Sequence, residues 1–181
     1  MLPDLAQSTL LVIDIQERLF PAMATEDQER LVKATANLIE AVTDFGGNVV
    51  FSEQYPRGLG ATIPELSPKL GSAERLEKVA FSVCAATDFP RFERLLKKNV
   101  ILVGMEAHIC VLLSGLDLLK EGRRVWVPLD AVASRRVEDK ANALDLLTRA
   151  GATVVNSESL VFNQLGVAGT EAFKKFARLI R

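Results

Sequence analysis

Two side chains of chemically useful type stand where runs of aliphatic residues end: Asp14, directly after TLLVI, and Cys110, at the end of GMEAHIC. A thiolate is a strong nucleophile, and a carboxylate can take up a proton and return it, so an aspartate meeting a cysteine is equipped for covalent catalysis. The stretch 99–122, NVILVGMEAHICVLLSGLDLLKEG, gives Cys110 its setting. Val100 to Val103 is the unbroken run a strand shows when both its faces are covered, and Gly104 closes it. After a link holding Glu106 and His108, Ile109, Leu112, Leu113, Leu116 and Leu119 recur at helical spacing, and Gly122 stops the helix. Cys110 therefore falls in the first turn of a predicted helix, where free backbone amides and the positive end of the helix dipole favour a thiolate. The position also suits a small buried hydrophobe, the simpler reading of this stretch alone, so the rest of the chain must decide between them. Asp14 is open in the same way, because aspartate also caps turns, while a carboxylate at the end of a buried strand is costly unless paired or used.

The elements that must position these groups follow in order. Thr9–Ile13 reads as a buried strand, 27–45 as a helix with Leu31, Ala34, Leu38, Ile39 and Val42 on one face, and 48–52 as the next strand. Strand, helix, strand makes a right-handed crossover with the strands parallel. The Pro- and Gly-rich stretch from Glu53 to Lys78 reads as a long ordered loop, the kind that usually serves function, with Glu53, Gln54, Tyr55 and Arg57 as candidates to line a site. Lys78 stands in LEKVAFS beside a short apolar segment that counts as a minor third strand. By itself a lysine is most simply a surface charge. Residues 88–97 form a short helix capped by Asp88, 124–129 a strand, 137–150 a helix with Ala141, Leu144, Leu147 and Ala150 inward, and 153–156 the last strand. The chain closes with an apolar face of Phe173, Phe176, Ala177 and Ile180. Alternating strands and helices predict one α/β domain over residues 1–181, a three-layer α/β/α, doubly wound, mainly parallel sheet of order 3-2-1-4-5-6.

Composition narrows the function. Lys and Arg number 22 against 23 Asp and Glu, scattered along the chain, so no field is built to hold a polyanion and no nucleic acid is expected. No apolar window spans a bilayer and no basic leader precedes the first strand, which predicts a cytoplasmic protein without membrane contact. Cys84 and Cys110, far apart and outside any CxxC, fit reduced thiols, with Cys84 read as packing. A single histidine rules out a multi-histidine metal site. GxGxxG and GxxxxGK[ST] are both missing, so nucleotide binding by those routes is excluded.

In the predicted sheet, ligands bind beyond the strand ends where the winding reverses, between the first and fourth strands. Asp14 and Cys110 converge there from opposite halves of the sequence. With Lys78 in EKVAFS, the LLVIDIQ strand, the VGMEAHIC elbow and VPLDAVASR, the chain resembles the isochorismatase-like cysteine hydrolases, which include nicotinamidases and N-carbamoylsarcosine amidohydrolase, and within them the small hydrolases of unknown substrate. The resemblance implies Cys110 as nucleophile, Asp14 as proton acceptor and Lys78 as the cation holding the pair. It also implies a cis peptide at Met105-Glu106, with the amides of Glu106 and Cys110 forming an oxyanion hole. The expected reaction is hydrolysis of a small amide or related C–N bond through a thioester on Cys110.

Nicotinamidases of this superfamily bind a metal through an aspartate and histidines after the second strand; that loop has no histidine here, so no metal and no cofactor are expected. Isochorismatases proper cleave a vinyl ether without this cysteine, so its presence favours acyl transfer. Gln16, Phe20, Gln54, His108 and Ile109 are expected to line a pocket for a small molecule. A homo-oligomer is expected, with Phe162 and Leu165 as interface candidates. Two alternatives stand beside this reading: a non-catalytic oligomer using Cys110 as a redox-responsive thiol, and an ether-cleaving hydrolase.

Overall fold

The aliphatic runs form a parallel sheet because each strand is covered on both sides and finds its hydrogen-bond partners only in its neighbours. In the computed structural model, which describes residues 1–180 and, of residues 179 and 180, the backbone alone, the strands are β1 (Ser8–Ile13), β2 (Asn48–Gln54), β3 (Glu74–Lys78), β4 (Asn99–Met105), β5 (Arg124–Pro128), β6 (Val132–Ala133) and β7 (Thr153–Val155). Their order is β3-β2-β1-β4-β5-β7, with β6 added on the C-terminal end of β4. The expected sheet is thus present, its sixth predicted strand being β7 at the edge. β6 has two residues, too few to leave a periodic signal. Gly104, read from sequence as the end of a strand, lies inside β4, and Glu53 and Gln54, assigned to the loop, are the last residues of β2.

Helices α1 (Thr25–Asp44), α7 (Ser157–Leu165) and α8 (Glu171–Ile180) cover one face, burying Leu31, Leu38, Val42, Leu160 and Phe176 with Leu10 and Val12 of β1. The other face packs α4 (Phe89–Phe92), α5 (Leu112–Lys120) and α6 (Val137–Ala150) on Leu11 and Ile13, with Phe92, Leu118 and Leu147 buried. Two one-turn helices, α2 (Pro56–Leu59) and α3 (Ser67–Leu70), punctuate the loop before β3. The stretch 88–97 is not one helix: α4 passes into a 3-10 turn, and Asp88 makes no side-chain capping bond. The residues of α7 were not recognised from sequence because its two fully buried apolar positions, Leu160 and Val161, are adjacent rather than helically spaced.

Two helix faces also differ from their apolar stripes. On α5 the fully buried positions are Ser114, Gly115 and Leu118, while Leu113 is exposed. A Cβ on Gly115 would stand 2.6 Å from Leu147 Cδ2 and 3.2 Å from Leu102 Cδ1, so the helix approaches the sheet through its small residues. On α6, Ala143 and Leu147 are buried whereas Ala141 and Ala150 are exposed. In α8, Phe176 is buried against Phe45 and Phe173 meets Phe162 edge-on. The Ile180 side chain and Arg181, which the predicted apolar face included, lie outside the described residues.

Candidate active site

The sheet places the site through its alternation. Val50 of β2 and Leu76 of β3 point into the cluster under α5 and α6, so Ser52, Gln54 and Lys78, two and four residues further on, share that face. The register sets Ile13 beside Ser52 and Gln54 beside Lys78. Asp14 follows β1 with a left-handed backbone, φ 51°, which breaks the strand's alternation; Asp is among the few non-glycine residues that accept this conformation. Its amide still bonds Ser52 O at 3.1 Å.

Asp14 is fully buried, and both carboxylate oxygens are engaged: Ser52 Oγ donates to Oδ1 at 2.7 Å and Lys78 Nζ to Oδ2 at 2.7 Å. The Lys78 side chain is as fully buried as the Asp14 one. Its ammonium also donates to Gln54 Oε1 at 2.8 Å, Phe81 O at 3.2 Å and Ala80 O at 3.4 Å. Such a charge is tolerable out of water because it has a counter-charge and a full set of acceptors. Lys78, most simply a surface charge by itself and the pair's cation by resemblance, is buried at the end of β3 against Asp14.

The third group arrives from β4. The peptide between Met105 and Glu106 is cis, and Ala107–Val111 forms a π-turn before α5 begins. Cys110 thus sits in that wider turn rather than in the first turn of an α-helix. The Glu106 carboxylate is buried and accepts from Arg135 N at 3.1 Å and Arg135 Nε at 3.0 Å, tying the turn to the segment after β6. Gly104 is required below it: φ is 122°, and a Cβ there would lie 2.0 Å from Ile13 O, where β4 presses on β1.

Cys110 is 5% exposed, and its thiol lies within the electrostatic reach of both Asp14 and Lys78. Burial first, then the negative charge of Asp14, push it up to about 12, with the Lys78 ammonium opposing. The expectation of a ready thiolate is therefore corrected: the sulfur is desolvated and faces an anion, and these outweigh the cation. The sulfur therefore keeps its proton beside the Asp14 carboxylate. Cys84 is also pushed up to about 12, by burial and by Glu121 and Asp117, and lies apart in the turn before α4.

Of the five residues expected to line a pocket, His108 borders a cavity, while the amides of Gln16 and Gln54 are taken up by bonds within the chain. Gln16 is fully buried and holds the loop: its Oε1 accepts from Gln54 N at 2.8 Å, and its Nε2 donates to Gln54 O at 3.1 Å and Gly60 O at 2.7 Å. Gln54 bonds Lys78 and Val79 O. Both were expected to face ligand; the buried Gln16 amide instead serves backbone groups, and the half-buried Gln54 amide serves the Lys78 ammonium and one backbone carbonyl. Phe20 packs against the α1 side of the core and Ile109 against the α5 side. His108 turns to Ser134, Nδ1 to Oγ at 2.9 Å, and lines a cavity of about 370 Å³ with Arg135, Arg136 and Asp139. A second cavity, also about 370 Å³, runs along Lys78 between Tyr55, Arg57 and Thr87. Ser52 escaped the sequence reading because a serine inside a strand carries no signal until its partner is known. Among the described residues no group of three or more His, Cys, Asp or Glu is placed to hold a metal ion. None of their helices is long and apolar enough to cross a membrane.

A family model described as the isochorismatase domain matches residues 8–159. Human isochorismatase domain-containing protein 2 is 34% identical over 96% of this chain and 83% of its own length. A structure of a protein named MAR1 ribonuclease, from Caenorhabditis elegans, superposes with a TM-score of 0.88 at 32% identity, covering 99% of this chain and 92% of that one. The YcaC gene product of Escherichia coli, described as an octameric hydrolase of unknown specificity, shares the fold with a TM-score of 0.88 at 19% identity, over 99% of this chain and 90% of its own.

Proposed function

The chain belongs to the isochorismatase family, and from that premise we propose that it is a metal-independent cysteine hydrolase that cleaves a small amide or related C–N bond. The observation that carries the reading is the meeting of Asp14, Lys78 and the Cys110 thiol at one buried point beyond the ends of β1, β3 and β4. Because the thiol is held protonated beside a carboxylate, activation is by general base rather than by a standing thiolate. Cys110 Sγ attacks the substrate carbonyl as its proton passes to Asp14. Lys78 stays with the carboxylate throughout and limits the cost of moving charge in a dry site. The amides of Glu106 and Cys110 receive the tetrahedral oxyanion. Collapse releases the amine with the proton from Asp14 and leaves a thioester on Cys110. Water then attacks the thioester, Asp14 again taking a proton, and the acid leaves as the thiol is restored.

A reducing, cytoplasmic setting suits two unpaired cysteines. Assembly into a homo-oligomer fits the exposed Phe162, although Leu165 is partly buried against the core of its own chain. The test is a panel of amides, carbamoyl compounds and esters assayed against wild type, Cys110→Ala and Asp14→Asn, with intact-mass detection of an acyl adduct. Turnover lost in both variants, with a wild-type fold and an adduct dependent on Cys110, supports the reading; unchanged turnover by Cys110→Ala overturns it. A second reading comes from the name of the C. elegans relative. RNA belongs in the same panel, and RNA cleavage that survives Cys110→Ala would select it.

A further inference from the structure

The ion pair does not hold itself in place. β2 runs between β1 and β3, and Ser52 and Gln54 stand two residues apart on the face that looks toward Cys110. From that face Ser52 Oγ reaches Asp14 Oδ1 at 2.7 Å and Gln54 Oε1 receives the Lys78 ammonium at 2.8 Å. We propose that Ser52 and Gln54 are positioning residues that fix the two ends of the Asp14–Lys78 pair against Cys110, an assignment that rests on Cys110 being the nucleophile this pair serves.

The hydrogen bonds give each residue a definite sense. Ser52 is buried, and towards a carboxylate its hydroxyl can only donate, so it favours the charged form of Asp14 and fixes the carboxyl plane. The orientation of the Gln54 amide follows from its partners. Nε2 faces the carbonyl of Val79, which can only accept, and Oε1 faces an ammonium, which can only donate. The backbone of Gln54 is clamped in turn by both ends of the Gln16 amide. The polar end of Gln54 is thus committed to Lys78 and to the loop, not to a substrate. The titratable groups that interact with Asp14 are Lys78 from β3 and Cys110 from the π-turn; Ser52 is its neutral partner.

The experiment reads Cys110 directly and needs no substrate. In a Cys84→Ser background, which leaves Cys110 as the single thiol, the rate of iodoacetamide alkylation is followed by intact mass between pH 4 and 10. Ser52→Ala takes a donor from the Asp14 carboxylate, which becomes the stronger acceptor of the thiol proton, so alkylation at pH 8 quickens by about threefold or more, and Ser52→Thr restores the parent rate. Gln54→Glu sets a second carboxylate against Lys78, draws the ammonium from Asp14 and adds an anion near the sulfur. Alkylation at pH 8 then slows by about tenfold, the equivalent of one unit in the thiol.

Profiles of folded Ser52→Ala and Gln54→Glu proteins that superpose on the parent overturn the assignment, as does a Ser52→Thr profile that stays with Ser52→Ala. Should Ser52→Ala fail to fold, Gln54→Glu decides alone. These outcomes are separate from those for the hydrolase reading. Unchanged alkylation profiles remove the positioning role and leave hydrolysis standing, whereas full turnover by Cys110→Ala removes the hydrolase and leaves the alkylation profiles as they are.

Discussion

Replacing Lys78 by Met tests the ion pair at its weakest point. The side chain is fully buried, and its ammonium serves Asp14 Oδ2, Gln54 Oε1 and two backbone carbonyls at 2.7 to 3.4 Å. Methionine keeps most of the volume and removes the charge. Asp14 is then a buried carboxylate with the Ser52 hydroxyl as its remaining side-chain donor. Leaving one member of a buried pair uncompensated costs about 3 to 5 kcal/mol, two to four powers of ten in the folding equilibrium.

The cost depends on pH with a definite sign. The penalty falls on the ionised carboxylate, which burial disfavours once its cation is gone, so it shrinks as acid neutralises the group. Urea midpoints at pH 7 and pH 5, at fixed protein concentration, should show a large deficit at pH 7 and a smaller one at pH 5. The double variant Asp14→Asn/Lys78→Met should recover much of the loss, because no buried charge remains and Asn also accepts the left-handed backbone at position 14. A Lys78→Met protein within about 1 kcal/mol of wild type at pH 7, or a double variant no more stable than the single one, would refute this account of the site.

Further outcomes follow from the same geometry. Asp14→Asn removes the anion that raises the Cys110 thiol while Lys78 remains, so alkylation of Cys110 moves to lower pH even as hydrolysis is lost; iodoacetamide kinetics beside a turnover assay will show the two effects in opposite directions. Cys84 is pushed up by burial and two carboxylates and takes no part in the site, so Cys84→Ser should keep wild-type turnover. Gly104→Ala brings a methyl to within 2.0 Å of Ile13 O at a φ of 122° and should cost more than about 3 kcal/mol, or prevent folding, as judged by urea midpoint and soluble yield. Gln16→Leu leaves Gln54 N and two carbonyls without their partners, which should lower stability by about 2 to 3 kcal/mol and speed amide exchange at Gln54.

Sequence alone determined the architecture, because it is carried by local signals: aliphatic runs for the covered strands, helical spacing in α1 and α6, and glycines at the stops. The alternation of strand and helix gave a mainly parallel doubly wound sheet, and the order 3-2-1-4-5-6 taken for it put Asp14 and Cys110 on either side of the winding reversal. Resemblance to a family added Lys78. What the chain could not disclose were properties that exist only between distant segments. The burial of Lys78 comes from β3 lying beside β2, and the role of Ser52 from the register that sets it against Ile13. Gln16 and Gln54 looked like pocket residues until the loop folded back and claimed their amides. The protonation of Cys110 was misread for the same reason. A turn can be read locally, but the field at its sulfur is a sum of desolvation, one anion and one cation, and only the folded arrangement fixes their distances and therefore the sign of the result.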